Sequence, residues 1–376
     1  MEKRSRAEGG RPHNRPLLTG GCFLAALLIL SSFSIPAAAS SGDGHASSIV
    51  PAGDRMSDFE ARLALARVLG AREKTWDEAV DQYRILLAEQ PENGAVRREM
   101  AEIFLWQKRY DRAREELTLL LERDPGDAGA TLAMARLHLW RGEYGKAAAF
   151  FEAILSKGAS PEVSLELARA YARSGRYDQA IGAYLEGIRS MGTVGPEVHG
   201  ELADALLSAG RKAEALDHYR RAVQIDPRRD DLQKQLGLAL SWSGQDEEAL
   251  TLLQRLEVRM PGDREVGLEL ARLQARRGGG ERALGRLKGL LDRHPDDVGL
   301  AVELADVEAG LGHAARSRDC YRAALARAPE DGALRLRFAD RMSGWGDFYE
   351  AERIYREHLG RHGQDNAVTL KLALAL

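Results

Sequence analysis

A single period organises this chain. A small residue recurs at Ala79, Ala113, Ala147, Ala180, Ala215, Ala249, Ala283, Ser317 and Ala351, at spacings of 33 to 35 residues. Four residues beyond each stands a large apolar or aromatic side chain: Tyr83, Leu117, Phe151, Tyr184, Tyr219, Leu253, Leu287, Tyr321 and Tyr355. Twelve residues before each of the last eight is another small one, at Ala101, Ala135, Ala168, Ala203, Gly237, Ala271, Ala305 and Ala339. A period this long marks stacked supersecondary units. It overrides the two or three globular domains that 376 residues would otherwise suggest.

The unit is a helix hairpin. Small residues let two helices approach closely, and the large residue one turn on fills the adjacent gap. Apolar residues recur at i, i+3 and i+4 within each half, as in Leu165, Ala168, Tyr171 and Ala172, while no useful stretch alternates with period two. Proline followed two residues on by Asp or Asn, at Pro91, Pro125 and Pro261, ends one helix and caps the next. These features predict an all-α solenoid over residues 58–376.

The N-terminus reads differently. Lys3, Arg4, Arg6, Arg11 and Arg15 precede an apolar stretch densest from Phe23 to Leu30, followed by Pro36 and Ala37–Ala39. This is the layout of a secretory signal over residues 1–39, with cleavage after Ala39. The alternative is an uncleaved membrane anchor, because Leu17 to Ile35 nearly suffices to span a bilayer. Cys22 is a poor lipoprotein site, since the apolar stretch follows it. Residues 40–57, rich in Ser and Gly, read as a flexible leader. The expected location is the periplasm, or the inner membrane facing the periplasm if the signal is retained.

Composition removes several classes. With 44% hydrophobic and 30% charged residues the chain is neither disordered nor a polytopic membrane protein. Fifty-four Lys+Arg against 57 Asp+Glu leave no basic footprint for nucleic acid. Loss of the signal would leave Cys320 as the single cysteine, so no intrachain disulfide is expected. No nucleophile elbow or phosphate loop occurs, and Gly278–Gly280 lacks the Lys-Ser/Thr continuation. His358 and His362 lie i,i+4 but in the order Glu-His-x-x-x-His, and read as a solvated helical face. No catalytic, cofactor or metal residue is assigned.

The segment from Ala168 to Ala180, ARAYARSGRYDQA, resembles the tetratricopeptide repeat family, and the resemblance extends over about residues 60–376 as nine repeats and the start of a tenth. It implies a right-handed α-solenoid whose first helices line a concave recognition surface. Departures are an extra residue before Trp76 and the Gly278–Gly280 run, expected to loosen its turn. The inward positions are then Glu99, Glu102 and Trp106, followed by Ala133, Arg136 and Trp140. Next come Glu166, Arg169 and Arg173, then Glu201, Asp204 and Ser208. Gln235, Leu238 and Trp242 precede Glu269, Arg272 and Arg276, and the row continues through Glu303, Asp306 and Gly310 to Arg337, Asp340 and Gly344. Nine carboxylates against six arginines make a mixed, mildly acidic groove.

Residues 105–113 (LWQKRYDRA) and 139–147 (LWRGEYGKA) are also similar to the Trp-bearing repeats of periplasmic exopolysaccharide export proteins. Trp106, Trp140 and Trp242 share one slot, where they either pack between repeats or stand exposed to stack on sugar rings. The leading expectation is a non-catalytic periplasmic scaffold that binds protein partners. The alternative is a polysaccharide-binding module for cationic or neutral sugars, with Glu99, Glu102, Glu201 and Asp204 receiving the ammonium groups.

Overall fold

The computed structural model describes residues 57–158, 160–363 and 365–376. The signal reading lies outside these residues, as does the leader except for Ser57. Described residues form two compact units that divide at Gly158. The first contains α1 (Asp58–Gly70), α2 (Trp76–Glu89), α3 (Gly94–Trp106), α4 (Tyr110–Arg123), α5 (Ala128–Trp140) and α6 (Tyr144–Leu155). The second runs through α7 (Pro161–Arg173), α8 (Tyr177–Met191), α9 (Pro196–Ser208), α10 (Lys212–Ile225), α11 (Asp230–Trp242) and α12 (Asp246–Arg259). It continues with α13 (Arg264–Arg276), α14 (Gly280–Arg293), α15 (Val298–Gly310), α16 (Ala314–Arg327), α17 (Gly332–Gly344), α18 (Phe348–His362) and α19 (Asn366–Ala375). No strand occurs among the described residues. Odd-numbered helices open each repeat and even-numbered ones close it, giving nine hairpins and the first helix of a tenth.

Local chemistry sets the boundaries. Ser57 forms a reciprocal capping box with Glu60 at the start of α1. Asn93, Asp127, Asp263, Asp297, Asp331 and Asp365 each accept a backbone N–H three residues on, at 2.9 to 3.2 Å. Inside seven of the hairpins the first helix ends in a left-handed glycine, Gly142, Gly175, Gly210, Gly244, Gly278, Gly312 or Gly346, with φ between 77° and 81°. The following N–H reaches back five residues, as from Arg176 to the Tyr171 carbonyl at 2.9 Å, which closes a Schellman turn. Gly279 makes the same bond to Gln274 at 2.8 Å, so the Gly278–Gly280 turn shares the geometry of its sisters. Lys108, with φ 60°, is the one non-glycine in this position among the described residues.

Packing follows the period. The closely placed residues from Ala79 to Ala351, Ser317 included, are all fully buried, and the large residues from Tyr83 to Tyr355 are at most 2% exposed. At Gly237 an added Cβ would lie 2.6 Å from Leu253 Cδ2, so a methyl group there would require the Leu253 side chain to shift. Within the first unit α3 touches α5 directly, and within the second α7, α9 and α11 each touch the next first helix. First helices therefore form one side of each unit.

Candidate first-helix recognition face

The side formed by the first helices carries a ladder of charges that close on one another between repeats. In the first unit, Arg67 of α1 makes two bonds to Glu99 of α3, Nη2 to Oε1 at 2.7 Å and Nε to Oε2 at 3.0 Å. Tyr83 Oη donates to the same carboxylate at 3.0 Å. Burial and the Glu99 charge push the Tyr83 hydroxyl well above the ordinary phenol range, so it stays a donor. Glu102 lies beside Glu99, and burial raises its carboxyl while Arg136 and Arg98 oppose the shift.

The second unit repeats the device. Arg169 pairs with Glu201 at 2.9 Å, and Tyr184 Oη donates to Glu201 at 3.3 Å. Asp204 accepts from Tyr219. Glu269 is 2% exposed, accepts from Ser241 Oγ at 2.5 Å and from Arg272 at 3.4 Å, and so lies behind the face rather than on it. Arg272 also pairs with Glu303, and Arg276 with Asp246 at 3.0 Å. Asp306 receives Tyr321, Arg337 and Arg341. Burial and the Asp306 hydrogen bond hold the Tyr321 hydroxyl up at about 12. Glu166 is partly buried and also partnered, whereas Arg173 is exposed at the end of α7.

This arrangement corrects the expectation of carboxylates open to a cationic ligand. Glu99 and Glu201 are each held by an arginine about one repeat back and by a tyrosine. A row of pairs offers a ligand little uncompensated charge, and exchanging a partner would cost the bond already made.

The tryptophans divide. Trp106 packs on the core of the first unit, its ring centroid 6.2 Å from that of Trp76, and Trp140 packs partly buried on the same core. Trp106 thereby fills the seam between α2 and α3. Trp242 is 50% exposed at the end of α11, where its carbonyl accepts from Lys212 Nζ at 3.1 Å.

The geometry also reveals a seam code. The first residue of a second helix faces the last residue of the next first helix. The pair is Trp76 with Trp106 in the first unit, and Asp246 with Arg276 in the second. At Gly280 and Gly310 neither residue has a side chain, and a cavity of about 430 Å³ opens on the first-helix side between α13 and α15. Sequence reading placed Gly310 on the face but did not connect it with Gly280, thirty residues away.

Among the described residues no group of three or more His, Cys, Asp or Glu could hold a metal ion. The side chain of His362 lies outside the described residues. Burial and the nearby Glu308 charge push the Cys320 thiol up, away from reactivity. Among the described residues no helix is long and apolar enough to cross a membrane.

Stacked helix hairpins with Schellman turns and a paired first-helix face define an α-solenoid repeat protein. Tetratricopeptide repeat models match residues 71–137, 132–193, 165–230, 206–276 and 268–332, and the chain belongs to the tetratricopeptide repeat family. A tetratricopeptide repeat protein from Parabacteroides merdae is 14% identical with a TM-score of 0.50, over 75% of this chain and 98% of that one. The C-terminal part of a repeat protein from Cytophaga hutchinsonii is 16% identical with a TM-score of 0.49, over 64% of this chain and 99% of that one. No curated protein matches the sequence. Proteins of this family generally mediate protein–protein interactions as scaffolds.

Proposed function

We propose that the protein is a non-catalytic periplasmic scaffold that binds protein partners through its first-helix face. The observation that carries this reading is the face itself. Glu99, Glu201, Glu303 and Asp306 are each paired with an arginine of the chain, while apolar ground remains accessible at Trp242 and in the cavity between α13 and α15. Such a surface suits a partner that brings apolar anchors and backbone hydrogen bonds rather than bulk charge. The periplasmic location rests on the basic and apolar residues of segment 1–39. N-terminal sequencing of the protein from cells should begin near Ser40, and a full-length inner-membrane product would favour the anchor instead.

Affinity purification from periplasmic extract tests the scaffold reading. Wild type and a second-helix variant, Arg255→Glu, should retain the same protein partner, and Trp242→Ala combined with Gly310→Leu should lose it. Equal retention by all three would remove the first-helix face as the binding surface.

The half-exposed Trp242 supports one further reading, a polysaccharide-binding module of an export machine. Trp106 and Trp140 are taken up by packing, so a ladder of indoles is not available along the face. Titration with partly deacetylated amino-sugar oligomers decides between the two. A salt-sensitive response lost in Trp242→Ala would support the sugar.

A further inference from the structure

The cavity between α13 and α15 has an internal template. Gly280 and Gly310 stand 204 residues, six repeats of 34, beyond Trp76 and Trp106. Trp76 opens α2 as Gly280 opens α14, and Trp106 ends α3 as Gly310 ends α15. In the first unit this seam is filled by two indoles in contact. In the second it is an opening of about 430 Å³ with Leu268, Ala271, Leu287 and Val307 among its walls.

The two halves of the opening differ. A Cβ on Gly280 would meet Leu311 Cδ2 at 2.7 Å, so Leu311 covers that half. A Cβ on Gly310 would meet nothing within 4 Å, so the half that corresponds to Trp106 is open. The rim carries Arg272, Arg276 and Arg337, each already paired, with Glu303, Asp246 and Asp306 respectively. A compensated rim around an apolar floor is complementary to a neutral group and penalises a charged one, which would be desolvated without a free partner. Guanidinium planes at the mouth favour a π-face, as Arg176 already does over Tyr171 at 4.3 Å.

We propose that this cavity takes a neutral aromatic side chain of tryptophan size, presented by the protein partner. The partner in this statement rests on the scaffold reading above, whereas the aromatic specificity rests on the cavity alone. The inserted ring replaces the missing seam residue and joins the repeats on either side.

The probe is N-acetyl-tryptophan amide, titrated into the full chain and followed by saturation-transfer NMR and calorimetry, beside N-acetyl-lysine amide and N-acetylglucosamine. Saturable binding of the tryptophan probe is expected, at least tenfold tighter than the other two. Gly310→Leu should weaken it tenfold or more and Gly310→Ala less. Gly145→Leu, at an open position on α6 in the first unit, should leave it unchanged. Gly310→Trp should abolish probe binding and raise the unfolding midpoint, as expected of a filled seam. Absence of binding, equal binding of the three probes, or binding indifferent to all Gly310 variants would overturn the proposal. Probe binding without any protein partner on the face would leave the cavity assignment standing and remove the scaffold reading.

Discussion

Ser317 Oγ donates to the Ala305 carbonyl across 2.6 Å, between the two helices of one hairpin. Other hairpins place alanine against alanine or glycine at this crossing, with every second-helix member fully buried. The serine shows what the position requires: a side chain small enough for backbone contact, or a hydroxyl that makes its contact with the facing backbone.

Ala180→Leu should therefore overpack the hairpin of α7 and α8 and cost roughly 1–3 kcal/mol. Ser317→Ala should cost no more than about 1 kcal/mol, because Ala305 O loses one bond while the volume is kept. Chemical denaturation followed by circular dichroism measures both. A neutral Ala180→Leu would mean that the helices do not cross at this residue.

Much of this was legible in sequence. The alanine register, the Asp and Asn caps at Asn93, Asp127 and Asp263, and the buried series from Tyr83 to Tyr355 all follow from residue type at fixed offsets. The charge ladder was not, because Arg67 finds Glu99 through the stacking of repeats, a relationship 32 residues long that no local rule encodes. The Gly280–Gly310 cavity escaped for the same reason. Each glycine reads as permissive by itself, and the void exists because both sides of one seam lack a side chain. The Gly278–Gly280 run was expected to loosen its turn. Gly278 instead occupies the position that the turn reserves for glycine.

Lys108 is the exception to that rule, and it sets a second prediction. A left-handed conformation costs a non-glycine residue roughly 1–2 kcal/mol, against about 0.5–1 kcal/mol of extra unfolded-state entropy for glycine. Lys108→Gly should therefore stabilise the first unit by about 0.5–1 kcal/mol, and Gly244→Ala should destabilise the second by a similar amount. An unchanged midpoint for both would contradict the turn geometry.

The His199–His218 pair gives a pH dependence. The two Nδ1 atoms lie 3.1 Å apart between α9 and α10 and share one proton as donor and acceptor. Burial lowers both pKa values; Arg221 adds to this at each ring, and His199 adds to it at His218, while Asp217 and Glu214 oppose it there. With folded values below the unfolded value of about 6.5, the unfolded chain binds more protons as pH falls. The contribution of the pair to stability is thus complete above about pH 6.5 and declines as pH drops below it. Thermal midpoints measured between pH 5 and 8 should show this decline, reduced in His199→Gln/His218→Leu, which borrows the residues that Gln233 and Leu252 supply one repeat on. A slope identical in wild type and variant would show that the pair does not titrate with folding.

Docking of protein partners on the first-helix face is tested most directly by site-specific crosslinking. A photo-crosslinking residue such as p-benzoylphenylalanine can replace Trp242, 50% exposed on α11, or Val258, 82% exposed on the second helix α12. Irradiation of living cells, followed by mass spectrometry of the adducts, reads the outcome. The account predicts a discrete protein adduct from position 242 and none from position 258. Adducts confined to position 258, or no protein adduct from either position, would contradict it.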